Sequence, residues 1–338
     1  MSSRTIAVIG SLNQDMIVET VRIPESGETI TSSSFSTHPG GKGANQAVAA
    51  YRTSHVNPKK SQRTENAASS MNGQEDIDIQ VRMTGAVGRD EFGASLTHKL
   101  AENRLNVSGI QKVEGYQTGV AIVIVESSTG ANRILINPGA NHFLMPQHFE
   151  RVESLAGGVN ADLIILQLEI RLRTIEQIIE TSSLANIDVL LNPAPAVPLP
   201  LYLYRKITHL IVNETEAAIL TSLKAEDLTD ATGWASVAEY FLDKGVKNVI
   251  ITLGGRGAYY SNKKGETGHV EAEKVVKVVD TTGAGDTFVG AYGVDFVKQK
   301  HRGEWNIKQA VEFASKAAAR AVERLGALEP IPWADELQ

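Results

Sequence analysis

The chain has 338 residues, 42% of them hydrophobic, and carries a formal net charge of −6 with a pI of about 5.8. This length can bury one large core or two modest ones. The acidic balance, with no basic block, argues against nucleic acid as a partner. The absence of cysteine excludes a disulfide framework, a thiolate metal site and a cysteine nucleophile.

The N-terminal segment predicts no export signal, since the apolar run at 6–9 is too short for a signal-peptide core. No apolar run approaches the roughly 18 residues that span a bilayer. We therefore expect a soluble cytoplasmic protein with no membrane partner. An additional nuclear pool is the alternative left open. Asn106 and Asn213 head Asn-X-Ser/Thr matches that we expect to be unglycosylated.

Most of the chain alternates predicted strands and helices. Helices are expected between the strands, with a small-residue helix at 43–51 and a C-terminal helix marked by Ala310, Ala314, Ala317, Ala321 and Leu325. This alternation predicts an α/β fold with a central, mostly parallel sheet flanked by helices on both faces. Its strands are expected at 5–12, 81–87, 163–167, 188–192, 209–213, 248–253 and 275–279.

Two regions depart from the alternation. Residues 118–137 predict two strands around a turn at 127–130, and they could join β-like fragments at 16–21 and 28–35 in a small separate sheet. Residues 53–79 are rich in Ser, Asn, Gln and charge, which predicts a surface insertion, either a tolerated loop or a regulatory segment.

The segment 279–288, Val-Asp-Thr-Thr-Gly-Ala-Gly-Asp-Thr-Phe, links a β-branched run to a helix-like stretch. Small residues at 283–285 let backbone N–H groups converge at a helix N-terminus, which favours an anion such as a transferring phosphoryl group. Asp286 beside them could accept a proton from an attacking hydroxyl. The same residues are also typical of a plain turn and a helix cap, so both interpretations stay open here.

A second glycine-rich segment is Pro-Gly-Gly-Lys-Gly-Ala-Asn-Gln at 39–46. Its glycines let a ligand approach the backbone, and Asn45 offers the acceptor and donors that suit a sugar diol. The segment lacks the Walker A spacing, and no Gly-x-Gly-x-x-Gly follows the first strand, which argues against a dinucleotide-binding dehydrogenase. A tight turn without a ligand is the alternative.

Polar residues also follow other predicted strands. Asn13 and Asp15 follow the first strand and point the same way if extended, either toward sugar hydroxyls or in an Asx turn. Similar turns occur at 166–169, 212–217 and 252–257. Because α/β sheets bind ligands at the carboxyl ends of their strands, these turns together indicate a binding site.

One family matches the chain at six segments that follow in order, namely 13–15, 40–45, 168–169, 213–216, 252–254 and 280–286. The chain resembles the PfkB-type carbohydrate kinases over about 5–333, interrupted by 53–79. The loop at 40–46 and Arg-Leu-Gly-Ala at 324–327 point to the ribokinase branch. The resemblance implies one ribokinase-like α/β domain over 1–338, with a small β-sheet lid from about 13–38 and 115–137 that pairs subunits into a homodimer.

The resemblance also implies transfer of the ATP γ-phosphoryl group to the 5-hydroxyl of D-ribose. Asp286 would be the base, and Gly283, Ala284 and Gly285 would form the anion hole through backbone N–H groups. Sugar contacts would come from Asn13, Asp15, Gly41, Lys42, Gly43, Asn45, Glu169 and Asp286. Nucleotide contacts would come from Asn213, Thr252, Gly254, Gly255, Arg256, Gly257, Gly285 and Ser315.

The resemblance further implies Mg²⁺ bound with ATP and activation by a monovalent cation, usually K⁺. The matching cation site, mostly backbone oxygens, comprises Asp280, Thr282, Ala321, Arg324, Gly326 and Pro330. Pro330 stands where these kinases usually carry Ser, so a carbonyl oxygen is available there but a hydroxyl is not.

Two other functions remain open. One is another sugar or nucleoside kinase of the same family. The other is a catalytically silent sugar-binding regulator, against which the intact Asp286 and 283–285 segment argue.

Overall fold

The computed structural model describes residues 3–61, 77–129 and 131–337. The strands are β1 (Arg4–Ile9), β2 (Asn13–Thr20), β3 (Ser34–Gly40), β4 (Ile79–Gly88), β5 (Asn106–Val113), β6 (Gly119–Glu126), β7 (Asn132–Asn137), β8 (Leu163–Leu166), β9 (Asp188–Leu191), β10 (His209–Asn213), β11 (Asn248–Thr252), β12 (Ala258–Asn262) and β13 (Thr267–Val270). The α-helices are α1 (Lys42–Ser54), α2 (Pro58–Ser61), α3 (Glu91–Glu102), α4 (Leu172–Leu184), α5 (Leu201–Tyr204), α6 (Glu214–Thr221), α7 (Ala231–Asp243), α8 (Ala284–His301) and α9 (Ile307–Ala321).

The large sheet confirms the predicted fold class. In the part of the chain described, nine strands lie in the order β13-β12-β11-β10-β9-β8-β1-β4-β5. Only β12 runs antiparallel to its neighbours, and every other pair is parallel. Parallel neighbours direct their carboxyl ends to one edge of the sheet, where a site can form.

Both faces of this sheet are covered, which explains its continuous apolar strands. Alternate residues of β1 enter separate cores: Ile6 and Val8 pack on one face, Ala7 and Ile9 on the other. The first core includes residues of α1, α8 and α9, and the second includes residues of α4, α6 and α7. None of the helices described has the length and apolar character that crossing a bilayer requires.

The predicted small sheet also forms, in the order β3-β2-β6-β7, with the β6–β7 hairpin where it was expected. Residue 130 of its turn lies outside the described part. The predicted fragment at 28–35 was misplaced, because β3 begins only at Ser34 and the segment before it is a turn containing Gly27 at φ +81°. All six residues of β7 are exposed.

The predicted strand at 275–279 was wrong. These residues form a loop in which Val276 is 98% exposed, and the N–H of Val279 donates to the Val322 carbonyl at 2.8 Å. The hairpin β12–β13 forms this edge of the sheet, where β12 pairs with β11. Neither this hairpin nor β5 at the opposite edge was predicted from the sequence. A β-branched run alone did not reveal that this edge was already filled.

Two other predicted bounds change. Helix α1 extends to Ser54, α2 covers Pro58–Ser61 and β4 begins at Ile79, so the predicted insertion at 53–79 was too wide. Its centre, 62–76, lies outside the described residues. The C-terminal helix is confirmed as α9, but Leu325 lies beyond its end and is 72% exposed.

Candidate active site

The candidate site lies at the carboxyl ends of the central strands. Ser11, Gln167, Asn192 and Asn213 come at or just beyond the ends of β1, β8, β9 and β10. These strands are neighbours in the sheet, so their polar ends lie side by side. The N-terminus of α8 meets them there, and two cavities open around it.

The larger cavity, about 460 Å³, contains most of the predicted nucleotide contacts. Part of its wall is apolar and is formed by Val275, Val278, Phe288 and Val322. The loop at 275–279, which was predicted to be a strand, therefore lines this cavity instead of extending the sheet. The predicted contacts in its lining are Asn213, Thr252, Gly254, Gly255, Gly257, Gly285 and Ser315.

Arg256 is the predicted nucleotide contact that does not line this cavity. Its guanidinium pairs with Glu214, donates to the Thr229 carbonyl at 2.8 Å and lies 5.4 Å from the Trp234 ring. These contacts give Arg256 a structural role in holding the β11–β12 turn against α6 and α7.

The smaller cavity, about 230 Å³, brings predicted sugar and phosphate residues together. Lys42 and Asp286 line it, along with Asn192 and Glu216. Asn213, Thr252, Thr281 and Gly285 line both cavities, so the two are contiguous. A ligand could therefore extend from the larger cavity to the carboxylate of Asp286.

The start of α8 has the geometry of an anion site. Gly283 is its N-cap at φ +75°, and a Cβ there would lie 2.8 Å from the Ala327 carbonyl oxygen, so only glycine fits. Among the described residues, the N–H groups of Gly283 and Gly285 have no hydrogen-bond partner, whereas that of Ala284 donates to the Thr281 carbonyl at 3.2 Å. Gly283 and Gly285 are thus free to donate to an anion, and Ala284 is engaged.

The carboxylate of Asp286 is buried and held from α1. Asn45 Nδ2 donates to one oxygen at 2.9 Å, and Gln46 Nε2 donates to the other at 2.9 Å. Asn45 Oδ1 is itself buried without a partner in the described structure. An unpaired buried acceptor is costly unless a ligand donates to it, and a sugar hydroxyl can do so.

Glu169 joins three segments of the candidate sugar site. Its Oε2 accepts from Ser11 Oγ at 2.5 Å, from the Lys42 N–H at 3.0 Å and from Asn13 Nδ2 at 3.5 Å. Asn13 is fixed from the other side by Asn141, whose Nδ2 donates to Asn13 Oδ1 at 2.7 Å. The predicted residues Asn13, Lys42 and Glu169 are therefore brought together.

The glycines before α1 permit this close approach. Gly41 has φ +91°, and a Cβ on it would lie 2.7 Å from the Asn13 amide nitrogen. A Cβ on Gly43 would lie 2.6 Å from the Ser11 amide nitrogen. Both glycines therefore let the N-terminus of α1 lie directly against the end of β1.

Lys42 is the cation at the centre of four carboxylates. Asp286 above all, with Glu169, Glu216 and Asp15, raises the pKa of Lys42 against the effect of burial. Burial and then the charges of Glu169 and Asp286 raise the pKa of Asp15 to about 7, although Lys42 opposes the shift. Four carboxylates and one ammonium leave the site net negative when all are ionised.

The predicted monovalent-cation residues come from the segment before α8 and from the end of α9 with the loop that follows it, together called the loop cluster around Asp280. Asp280 accepts from the Thr282 N–H at 2.9 Å, from Thr282 Oγ1 at 2.7 Å and from the Gly326 N–H at 2.9 Å. Burial opposes these hydrogen bonds, which together lower the pKa of Asp280. Arg324 points away and pairs with Glu336 at 2.8 Å. The Ala321 carbonyl accepts from the Arg324 N–H at 3.4 Å, and the ring of Pro330 lies beside Gly326.

Several site residues were absent from the predicted set. Glu216 follows Asn213 by three residues and caps α6 with it, as Asn213 Oδ1 accepts from the Glu216 N–H at 2.8 Å. Gln46 lies in the predicted loop at 40–46, so both had a local signal. Ser11 had a weak local signal. Asn192 had no local signal, because only the order of the strands in the sheet places the end of β9 beside the ends of β8 and β10.

Comparisons with known proteins show the family of the chain. The family model described as "pfkB family carbohydrate kinase" matches residues 3–334. The chain is 40% identical to a ribokinase of Schizosaccharomyces pombe over 97% of this chain and 94% of the relative, and 36% identical to a deoxyribokinase of Salmonella typhi over 92% and 91%.

Among solved structures, Arabidopsis thaliana ribokinase complexed with ribose and ATP superposes with a TM-score of 0.82 at 27% identity, covering 99% of this chain and 98% of that one. The likeness thus extends over both sheets and the residues around α8. The chain belongs to the pfkB family of carbohydrate kinases.

Proposed function

We propose that this kinase phosphorylates D-ribose at its 5-hydroxyl with ATP, giving ribose 5-phosphate and ADP. The observation that carries the proposal is the position of Asp286, a buried carboxylate in the first turn of α8 where the two cavities meet. The ribokinase relative from S. pombe and the similarity to a ribokinase bound to ribose and ATP support the choice of substrates.

The sugar would bind between the small sheet and the end of β1. The unpartnered Asn45 Oδ1, together with the carboxylates of Asp15 and Glu169, supplies acceptors for several sugar hydroxyls. Gly41, Lys42 and Gly43 would form the adjoining wall, and Lys42 lines the smaller cavity. This acceptor-rich wall suits a neutral polyol better than an anionic substrate.

ATP would occupy the larger cavity. The base would lie against the apolar wall near Ser315, and the phosphates would extend past Asn213 and Thr252 toward Gly285. The N–H groups of Gly283 and Gly285 would then donate to the transferring phosphoryl group and stabilise the negative charge that develops on it.

In the reaction, the 5-hydroxyl oxygen would attack the γ-phosphorus and form the new P–O bond while the bond to the ADP oxygen breaks. Asp286 would accept the hydroxyl proton as transfer proceeds. Phosphoryl transfer depends mainly on positioning and charge stabilisation. The carboxylate that would accept this proton receives hydrogen bonds from Asn45 and Gln46.

Magnesium fits the charges of this site. The carboxylates around Lys42 would repel a bare triphosphate, and oxygen ligands such as the Glu216 carboxylate in the smaller cavity suit Mg²⁺. Bound with ATP, Mg²⁺ would neutralise phosphate charge. No group of three or more His, Cys, Asp or Glu residues that could hold a metal occurs in the described ranges, consistent with an ion carried by the nucleotide.

A monovalent cation, K⁺ by preference, would bind at the loop cluster around Asp280. This cluster directly precedes the glycines of the α8 N-terminus, since Asp280 and Thr282 adjoin Gly283. Carbonyl oxygens there, including those of Ala321 and Pro330, are the neutral ligands that such an ion takes. The ion would order the anion hole without touching the substrate.

The small sheet would act as a lid and as the contact surface of a homodimer. Its edge strand β7 exposes Ile134, Leu135 and Ile136 at 44–59%. An open edge with apolar side chains is an unusual feature to leave exposed in a monomer. Ile134→Lys should shift a dimer to a monomer in analytical ultracentrifugation, and an unchanged mass would contradict this contact.

We infer a cytoplasmic location, with a nuclear pool as the alternative, and imaging a fluorescent fusion of the full chain tests both.

The substrate is tested with a sugar panel. Ribose, 2-deoxyribose, fructose and adenosine are each incubated with ATP and Mg²⁺, and the phosphorylated products are identified by mass spectrometry. Ribose should give the highest kcat/KM. A preference for 2-deoxyribose is the specific rival, because the deoxyribokinase relative is 36% identical. Turnover of none would favour a sugar-binding regulator.

A further inference from the structure

We propose that Gln46 is a positioning residue for phosphoryl transfer, which fixes the carboxylate of Asp286 through a buried chain of amides. The inference rests on the proposed function of Asp286 as the base. Gln46 lies in α1 with its side chain fully buried, and no catalytic role follows from its own chemistry, because an amide neither takes nor gives a proton.

The amide of Gln46 makes three hydrogen bonds. Its Nε2 donates to Asp286 Oδ1 at 2.9 Å and to Asn192 Oδ1 at 3.1 Å, and its Oε1 accepts from Gln167 Nε2 at 2.7 Å. Both amide hydrogens and the oxygen are therefore used. A side chain held at every polar atom cannot rotate without breaking a buried hydrogen bond.

The orientation of this amide is determined by its partners. An ionised carboxylate only accepts, so Gln46 must present its nitrogen to Asp286 and its oxygen to Gln167. Asn192 is anchored in turn, because its Nδ2 donates to the Ile211 carbonyl at 2.9 Å. The chain of amides thus runs from the end of β8 through α1 to the ends of β9 and β10.

This arrangement holds Asp286 against the rigid sheet instead of leaving it on its helix alone. Asn45 holds the second carboxylate oxygen, but its Oδ1 has no partner in the described structure, so one end of its amide is left unfixed. The amide of Gln46 is fixed at both ends. Its contribution is a fixed carboxylate plane, which general-base catalysis needs at the attacking hydroxyl.

Gln46→Met tests the proposal, since methionine keeps the length of the side chain but removes both donors. We expect kcat to fall about 10- to 100-fold, with KM for ATP within about threefold of the unsubstituted enzyme, because misplacing a catalytic group by about 1 Å costs up to that much. Gln299→Met is the matched control: Gln299 is also buried and donates to a buried aspartate, Asp295, far from the site. Its kcat should not change.

The same substitution in the Asp286→Asn background separates positioning from stability. If Gln46 acts through Asp286, Gln46→Met should lower kcat by less than about threefold in that background. A general structural defect would lower both backgrounds equally. Either a full-sized effect with Asp286→Asn or a normal kcat for Gln46→Met alone would overturn the proposal.

If Gln46→Met shows no cooperative thermal unfolding, Gln46→Glu replaces it. Glutamate keeps the shape but sets a second carboxylate against Asp286, so the same loss of kcat is expected and a normal kcat again overturns the proposal. An unsubstituted enzyme that phosphorylates no sugar would instead contradict the proposed function, which keeps the two failures distinct.

Discussion

Gly290 of α8 lies directly against the Gln46 carbonyl of α1, where an added Cβ would approach that oxygen to 2.8 Å. The backbones of the two helices that carry Asp286 and its partners are therefore in contact. The separation between these helices sets the hydrogen bonds to the carboxylate, so the packing of small residues in the core has a direct consequence for the site.

Gly290→Ala should therefore affect both stability and activity. The methyl group would also meet the Ala49 Cβ at 2.5 Å and the Ala50 nitrogen at 2.7 Å, and overpacking of this kind costs about 1–3 kcal/mol. We expect a lower free energy of unfolding in urea and a lower kcat. Gly293→Ala is the control, because its methyl would meet only the ends of aliphatic side chains at 3.0 Å or more. Equal losses in both variants would contradict this account.

The raised pKa of Asp15 should make the stability of the folded protein depend on pH. Its pKa rises from 3.8 unfolded to about 7 folded, so between these values the folded state binds more protons and stability falls as pH rises. Without sugar, Asp15→Asn should therefore melt above the unsubstituted protein at pH 8 and lose this advantage toward pH 4. Asp243→Asn, at an exposed position on α7, is the control. A difference independent of pH would exclude Asp15 as the cause.

Asp15 also predicts how sugar affinity changes with pH. A protonated Asp15 loses part of its capacity to accept from sugar hydroxyls, so KM for ribose should rise as pH falls below about 7. The measurement is KM for ribose between pH 6 and 8 at saturating ATP. In Asp15→Asn, KM should be high throughout and nearly independent of pH.

The buried His209 should make the free energy of unfolding fall at acid pH. It is fully buried beside Phe296 and Trp305, its Nδ1 bonds the Tyr292 hydroxyl at 2.9 Å, and burial lowers its pKa from 6.5 to about 3. Its stabilising effect is complete above the unfolded pKa of 6.5 and is lost as pH falls from there toward 3. At pH 5 the loss should be about 2 kcal/mol.

Urea unfolding at pH 7.5 and pH 5 checks this effect. His209→Gln should reduce the difference in free energy between the two pH values, whereas His98→Gln, on the exposed face of α3, should not. If His209→Gln keeps the full difference, other groups cause the acid sensitivity.

The loop around Asp280 predicts activation by K⁺. Replacing K⁺ by Na⁺ should lower kcat, and Asp280→Asn should weaken the response, because the carboxylate that holds Thr282 and Gly326 loses its charge and an acceptor. The readout is kcat against K⁺ concentration at constant ionic strength. Equal rates in the two salts would remove the cation from the account.

The strand ends of the site could be predicted from the sequence because each buried strand is a local apolar run followed by polar or glycine residues. Asn13 and Asp15 were found in this way, whereas Asn45 and Asp286 were found from the glycine-rich segments at 39–46 and 283–285. The strand at 275–279 was mispredicted for the same reason: its valines match a strand locally, but β12 and β13 already occupy the edge of the sheet.

The partners of Gln46 at the strand ends could not be predicted, because they depend on which strands are neighbours. Gln167 and Asn192 come from adjacent strands β8 and β9, and they meet Gln46 only after α1 packs over the sheet. Ala284 shows the same limit at short range, since only the turn geometry reveals that its N–H is used by Thr281.

The most direct test of the account is kcat of Asp286→Asn for ribose phosphorylation, measured with saturating ATP and Mg²⁺ in K⁺ buffer. Asparagine keeps the shape but cannot accept the hydroxyl proton, so kcat should fall by about 10²- to 10⁴-fold. The thermal unfolding midpoint should stay close to that of the unsubstituted protein. A kcat near that of the unsubstituted enzyme would contradict the assignment of Asp286 as the base, and with it the mechanism proposed for this site.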